Sequence, residues 1–226
     1  MIFLEENSKT TEAKPEMPEL LRLLEESYPQ ARTALHYNNT FELLLAVMLS
    51  AQTTDRQVNI ITSRLFPLIK DGPKAVLAMG QERLAKEIQS CGLYRQKSRQ
   101  IMETCLLLVE KYGGEVPRSR EALMSLPGVG RKTANIIMST AFGIPALAVD
   151  THVTRVSRRL GLAREKKALG VEEELCRLIP PSYWVEIHHR LIAHGRRICR
   201  ARKPLCHACT LNSNCRYYNE KQAGVF

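Results

Sequence analysis

Four cysteines fall within seventeen residues of this chain, in "CRARKPLCHACTLNSNC" from Cys199 to Cys215, with six, two and five residues between them. In a reducing compartment disulfides are disfavoured, and a zinc site more often shows two close cysteine pairs, whereas this run has one C-x-x-C. Four thiolates also meet the need of an iron-sulfur cubane, and spacing alone does not choose between the metals. Pinning Cys199 and Cys206 to one rigid centre would force the residues between them into a loop that displays Arg200, Arg202 and Lys203 to solvent. A second stretch, "LPGVGRKTANII", has a different chemistry. Gly128 and Gly130 permit backbone conformations and close approaches that a β-carbon would block, and a helix starting at Arg131 would aim unpaired N–H groups at the turn. Such a turn suits a phosphate.

Helices must position both features. "FELLLAVMLSAQTTDRQVNIITSRLF" repeats apolar residues at spacings of three and four and is expected to run as a helix up to Pro67. "YRQKSRQIMETCLLLVEKYGG" does the same and ends in paired glycines. "SREALMSL" predicts a short helix with Ser119 as its N-cap, then the turn, then "RKTANIIMSTAF" as a second helix. "DTHVTRVSRRLG" predicts a helix opened by Asp150 and closed by Gly161. No alternating strand and no internal repeat stands out, so the expected fold class is all-α. Cys91, Cys105 and Cys176 lie outside the cluster run and are expected to be small buried residues, and the six histidines receive no role.

The formal charge of +10 is unevenly spread. Residues 1–30 hold three basic and seven acidic side chains, a balance of −4, while 131–164 and 196–216 carry +5 and +6. Such clustering points to a polyanionic partner, nucleic acid first. No apolar run approaches the roughly 20 residues that span a bilayer, and no membrane partner is expected. The N-terminus lacks a basic segment followed by a sustained apolar one, so a cytoplasmic protein is expected, with residues 1–15 as a flexible tail.

"LPGVGRKTANI", the following "VDTHVTRV" and the terminal four-cysteine run together resemble the endonuclease III family of base-excision DNA glycosylases. The resemblance extends from about "FELLLAVMLSAQTTD" to Cys215. It implies a helix-hairpin-helix glycosylase fold of two helical domains flanking a DNA-binding cleft, with a C-terminal iron-sulfur cluster loop. Residues 34–144 would form the domain holding the helix-hairpin-helix; residues 16–33 with 145–226 would form the cluster domain. The resemblance makes Lys132 the Schiff-base nucleophile and Asp150 the catalytic carboxylate, eighteen positions apart. An amine can attack the anomeric carbon of a damaged nucleoside, and a carboxylate can stabilise the charge that develops on the sugar and help move protons. By the same resemblance Cys199, Cys206, Cys209 and Cys215 ligate one 4Fe-4S cluster. Leu126, Gly128, Val129, Gly130 and Arg131 of the hairpin, with Arg200, Arg202 and Lys203 of the loop, contact DNA. Gln52 and Leu93 fill the space left by a flipped base, next to Cys91, where family members often carry a bulkier aliphatic residue. The implied activity is a bifunctional glycosylase and abasic-site lyase, monomeric on double-stranded DNA bearing oxidised pyrimidines or abasic sites. Two alternatives are a monofunctional glycosylase and a non-catalytic iron-sulfur DNA-binding protein.

Overall fold

The computed structural model of the chain describes residues 16–224; the tail expected over residues 1–15 lies outside them. Among the described residues there are twelve α-helices and no β-strand, and no helix is long and apolar enough to cross a membrane. Helix α1 spans Met17–Ser27, α2 Thr40–Ser50 and α3 Asp55–Leu65. Short helices α4 (Pro73–Met79) and α5 (Gln81–Glu87) precede the long α6 (Tyr94–Tyr112). The hairpin pair is α7 (Arg120–Met124) and α8 (Arg131–Phe142). The remaining helices are α9 (Thr151–Leu160), α10 (Ala168–Leu178), α11 (Trp184–Arg197) and α12 (Arg216–Gln222).

The caps follow the sequence. Ser119 accepts from the Ala122 amide at 3.2 Å, and Asp150 from the Val153 amide at 2.8 Å. Gly113 and Gly161 close α6 and α9 in the left-handed conformation. One expectation is corrected. The apolar run from Phe41 to Phe66 is two helices, not one, because the chain turns at Ala51–Thr54: Gln52 adopts a φ of 56° and Thr54 caps α3 through the Gln57 amide. Helical spacing on either side of the turn conceals the break.

Buried apolar side chains gather in two clusters. The first surrounds α2, whose residues 41–49 are all buried, with side chains of α3 to α8 and Ala146. The second joins α1 to residues 147–215, with α9 packed on α11, α1 on α11 and α12 on α9. Each fully buried leucine contributes about 1.5–3 kcal/mol, and Leu43, Leu44, Leu45 and Leu49 of α2 are 0% exposed. Polar links tie the two clusters together. Buried Asn135 of α8 accepts from Arg120 Nε at 2.9 Å and donates to the Leu147 carbonyl at 2.8 Å. Asp55 at the start of α3 faces Arg196 of α11 at 3.4 Å.

Candidate active site and cluster loop

Two helix N-termini meet at a cleft of about 280 Å³ between the clusters. Lys132 is the second residue of α8, Asp150 is the N-cap of α9, and both line that cleft with Ser50, Asp55, His188 and Arg196. The residues before Asp150 are fixed in succession. Asn135 holds the Leu147 carbonyl, and His188 Nδ1 lies 2.7 Å from the Ala148 carbonyl, so Nδ1 carries the hydrogen and donates it. Burial, with His189 beside it, pushes the His188 imidazole down to about 4. The ring is therefore neutral near pH 7, with Nε2 as an acceptor. His152, on the first turn of α9, is also held below its ordinary range by burial. The cleft thus combines a primary amine, a carboxylate locked in orientation by a backbone N–H, and neutral imidazole. That set can deliver a nucleophile and stabilise a neighbouring cation.

The hairpin turn leads directly into Lys132. Leu126 and Val129 bury their side chains, and the Val129 amide donates to the Leu126 carbonyl at 3.0 Å, which tightens the turn. These two residues can offer a partner only their backbone. Gly128 has a φ of 78°, and a β-carbon there would meet Gln100 Oε1 at 2.9 Å. Gly130 is the N-cap of α8 with a φ of −87°, no side-chain cap and nothing within 4 Å of an added β-carbon. The first amides of α8 therefore have no helical partner and no capping side chain, which leaves them for an anion. Arg131 is already engaged: its Nε and Nη2 each lie 2.9 Å from the two carboxylate oxygens of buried Glu172 on α10. It braces the hairpin as well as facing outward.

Gln52 and Leu93 share an uncommon backbone. Among the described residues the non-glycine positions with positive φ are Gln52, Leu93 and Lys203, at 56°, 58° and 49°. Such conformations cost about 1–3 kcal/mol and persist only where the surroundings impose them. Leu93 is also 54% exposed, an apolar side chain displayed at the start of α6. Cys91 and Cys105 are buried as expected, but Cys176 is only partly so.

Cys199, Cys206, Cys209 and Cys215 line one small cavity with Leu160, His194, Tyr217 and Tyr218. Among the described residues no three His, Cys, Asp or Glu side chains converge as the ligands of one metal ion do. All four cysteines border that one cavity, an arrangement compatible with ligands that each serve a different iron of a cubane. The second helical cluster supports them: Arg159 Nη1 points to Cys199 Sγ at 3.4 Å, and His194 Nε2 lies 3.7 Å from Cys209 Sγ while its Nδ1 meets Tyr28 Oη at 2.9 Å. Arg159 also donates to the Arg200 and Ala201 carbonyls at 2.7 and 3.0 Å, so α9 carries the loop by its backbone. That arrangement leaves Arg200, Arg202 and Lys203 exposed. A second cavity, about 680 Å³, is lined by Asp150 with Arg155, Arg158, Arg159, Lys166, Arg216 and Glu220. Sequence reasoning missed His188, Asp55 and the brace on Arg131, since each acts through a partner at least 40 positions away.

The helix-hairpin-helix arrangement and its cleft have known counterparts. The family signature of the HhH-GPD superfamily base excision DNA repair proteins matches residues 45–181. Endonuclease III of Haemophilus influenzae is 48% identical over 199 residues, 88% of this chain and 94% of that protein; endonuclease III of Escherichia coli K12 is 47% identical over the same shares. The solved structure of a trapped endonuclease III–DNA covalent intermediate superposes with a TM-score of 0.85 at 48% identity, covering 91% of this chain and 96% of that one. A thermostable thymine-DNA glycosylase gives 0.82 at 27% identity, over 90% and 96%. The likeness thus extends across nearly the full length of these relatives, and the chain belongs to the endonuclease III family of the HhH-GPD superfamily.

Proposed function

We propose that the chain is a bifunctional DNA glycosylase and abasic-site lyase of base excision repair, acting on oxidised pyrimidines in double-stranded DNA. The observation that carries this reading is the presence of Lys132 and Asp150 in one cleft, each at the start of a helix. The Lys132 amine adds to C1′ of the lesion nucleoside as the bond from C1′ to the base breaks, and the base leaves with the bonding electrons and a proton. Asp150 stabilises the positive charge on the sugar and relays the proton released by the lysine to the departing base; the C1′–O4′ bond then opens, O4′ taking a proton from solvent, and leaves a protonated Schiff base between C1′ and the lysine nitrogen. The Schiff base acidifies the C2′ hydrogen; its removal expels the 3′ oxygen with its phosphate, and hydrolysis returns the amine. A monofunctional enzyme would have no need of this amine.

Extrusion of the base comes first, because a nucleobase inside the duplex is out of reach. Gln52 and the exposed Leu93 are the residues assigned to the vacated space. The hairpin backbone and the loop cations Arg200, Arg202 and Lys203 would hold phosphates on either side. Cys199, Cys206, Cys209 and Cys215 would ligate a 4Fe-4S cluster, whose contribution when bound is a rigid anchor for that loop. The two apolar clusters support a division into a hairpin domain over 34–144 and a cluster domain over 16–33 and 145–226.

Borohydride trapping on abasic DNA tests the assignment. Lys132→Gln keeps the side chain's reach but has no nucleophilic nitrogen, so the folded protein should still bind DNA while trapping and strand cleavage disappear. Full trapping by this variant would assign the nucleophile to another amine.

A further inference from the structure

Lys97 is a charged residue in an unusual place. It lies on α6, is 5% exposed, and among the described residues pairs with no carboxylate. Its Nζ donates to the Leu49 carbonyl at 2.7 Å and the Ala51 carbonyl at 2.5 Å, and it reaches Thr53 Oγ1 at 3.2 Å and Cys91 Sγ at 3.0 Å. Leu49 belongs to the last turn of α2 and Ala51 caps it, where carbonyls lack helical partners and the helix presents its negative end. A cation satisfies both demands at once.

The same small group of atoms joins two loops. Thr53 Oγ1 lies 3.1 Å from Cys91 Sγ and accepts the Gly92 amide at 3.3 Å, and the Cys91 thiol donates to the Leu49 carbonyl at 3.3 Å. A β-carbon on Gly92 would meet the Gln52 carbonyl oxygen at 3.0 Å, so the two backbones touch. Gln52 and Leu93, both in left-handed backbone, flank this junction directly: Gln52 lies between two of the ammonium's partners, and Leu93 lies two residues beyond a third. Strained tips of this kind need a support that imposes them.

We propose that Lys97 is a positioning residue for base extrusion: its buried ammonium locks the Gln52 and Leu93 loops into a single preorganised wedge. The inference rests on the reading of those two residues as the wedge. Ordering two independent loops at the moment of DNA contact would cost conformational entropy, and the ammonium meets that cost when the protein folds. Lys97 itself touches neither substrate nor the reacting atoms, so its influence should be felt where a base pair has to be opened and not where it is already open.

The test uses full-length, cluster-loaded protein and the variants Lys97→Met and Thr53→Val, the second being a milder cut that leaves the charge in place. Single-turnover excision is measured for an oxidised pyrimidine in a fully paired duplex and for the same lesion opposite an abasic analogue, where no pair must break. Lys97→Met should slow the paired substrate by about tenfold to a hundredfold, the scale of an ångström's misplacement. The unpaired substrate and borohydride trapping on a pre-formed abasic site should stay near the wild-type rate. Thr53→Val should shift the ratio of the two rates in the same direction by a smaller factor, and it carries the test alone if Lys97→Met does not fold. Equal slowing of both substrates, or an unchanged ratio in both variants, would overturn the inference. Gln52→Ala and Leu93→Ala run in parallel: if they leave the paired rate intact, the wedge reading itself fails. If they lower it while Lys97→Met and Thr53→Val do not, only the role of Lys97 fails.

Discussion

In the proposed mechanism Lys132 and Asp150 divide the chemistry, so their substitutions should fail differently. Asn is as good an N-cap as Asp, so Asp150→Asn should leave α9 intact while excision falls by ~10²-fold to 10⁴-fold, the range for lost acid–base assistance. Trapping on a pre-formed abasic site should survive in part, because there the base has already left; comparing the two assays on one preparation checks this. His188 makes a separate prediction. Its buried imidazole titrates near 4 against an ordinary 6.5, so as pH falls through that window the unfolded chain binds a proton that the native state refuses. The contribution of this neutral imidazole to native stability is therefore fully present above about pH 6.5 and is lost progressively as the pH falls towards 4. Urea melts of wild type and His188→Asn at several pH values should show the shallower acid dependence in the variant; equal slopes would remove His188 as the cause. Lys132 and Asp150 are legible in the sequence because each sits inside a local motif. His188 and Lys97 are not, because a charged or titratable side chain on a helix reads as surface until the fold brings up the carbonyls of Ala148, Leu49 and Ala51.

At the scale of elements, caps and glycine stops are written locally and the structure follows them at Ser119, Asp150, Gly113 and Gly161. The break between α2 and α3 is written nowhere as plainly. Apolar spacing continues across it, and what enforces the turn is the support under Gln52 from α6. The hairpin turn offers a matched pair of tests. Gly128 needs its left-handed φ and has Gln100 against the position of a β-carbon, so Gly128→Ala should cost about 1–2 kcal/mol of stability from the backbone alone. At Gly130 an alanine meets nothing in the protein and φ is ordinary; its penalty should stay within about 1 kcal/mol, the range of an N-cap change. Yet Gly130→Ala should weaken binding to damaged and undamaged duplex alike, since its methyl group occupies the approach to the free amides of α8. Thermal melts beside a binding titration separate the two effects. Unchanged affinity in Gly130→Ala would mean that no phosphate comes close to this turn.

Across the whole molecule, charge and packing face the same partner. The acidic α1 is held against the second cluster by buried Leu20, Leu24 and Tyr28 and by the Glu25–Arg190 pair at 3.1 Å, while the cations of 131–164 and 196–216 border the cleft and the cysteine loop. The sequence carries the charge asymmetry openly; the meeting of two helix N-termini from different cores depends on Asn135, Asp55 and Glu172, whose partners are distant in the chain. Such a basic face implies binding governed by the release of counterions from DNA, and the cluster loop isolates one contribution to it. Arg202 and Lys203 are exposed, and Lys203 is held at a positive φ that glycine would accept without strain. Arg202→Ala with Lys203→Gly therefore removes two cations without disturbing the backbone that Arg159 supports through Arg200 and Ala201. Iron content and thermal stability should hold, while the plot of log affinity against log salt should flatten by about 0.9 for each phosphate that the loop no longer neutralises. The weakening should be the same for a lesion duplex and an undamaged one, because phosphates are present in both. A flattened slope on lesion DNA alone would instead place these two side chains at the extruded nucleotide, and an unaltered slope on both would show that the loop stands clear of the duplex.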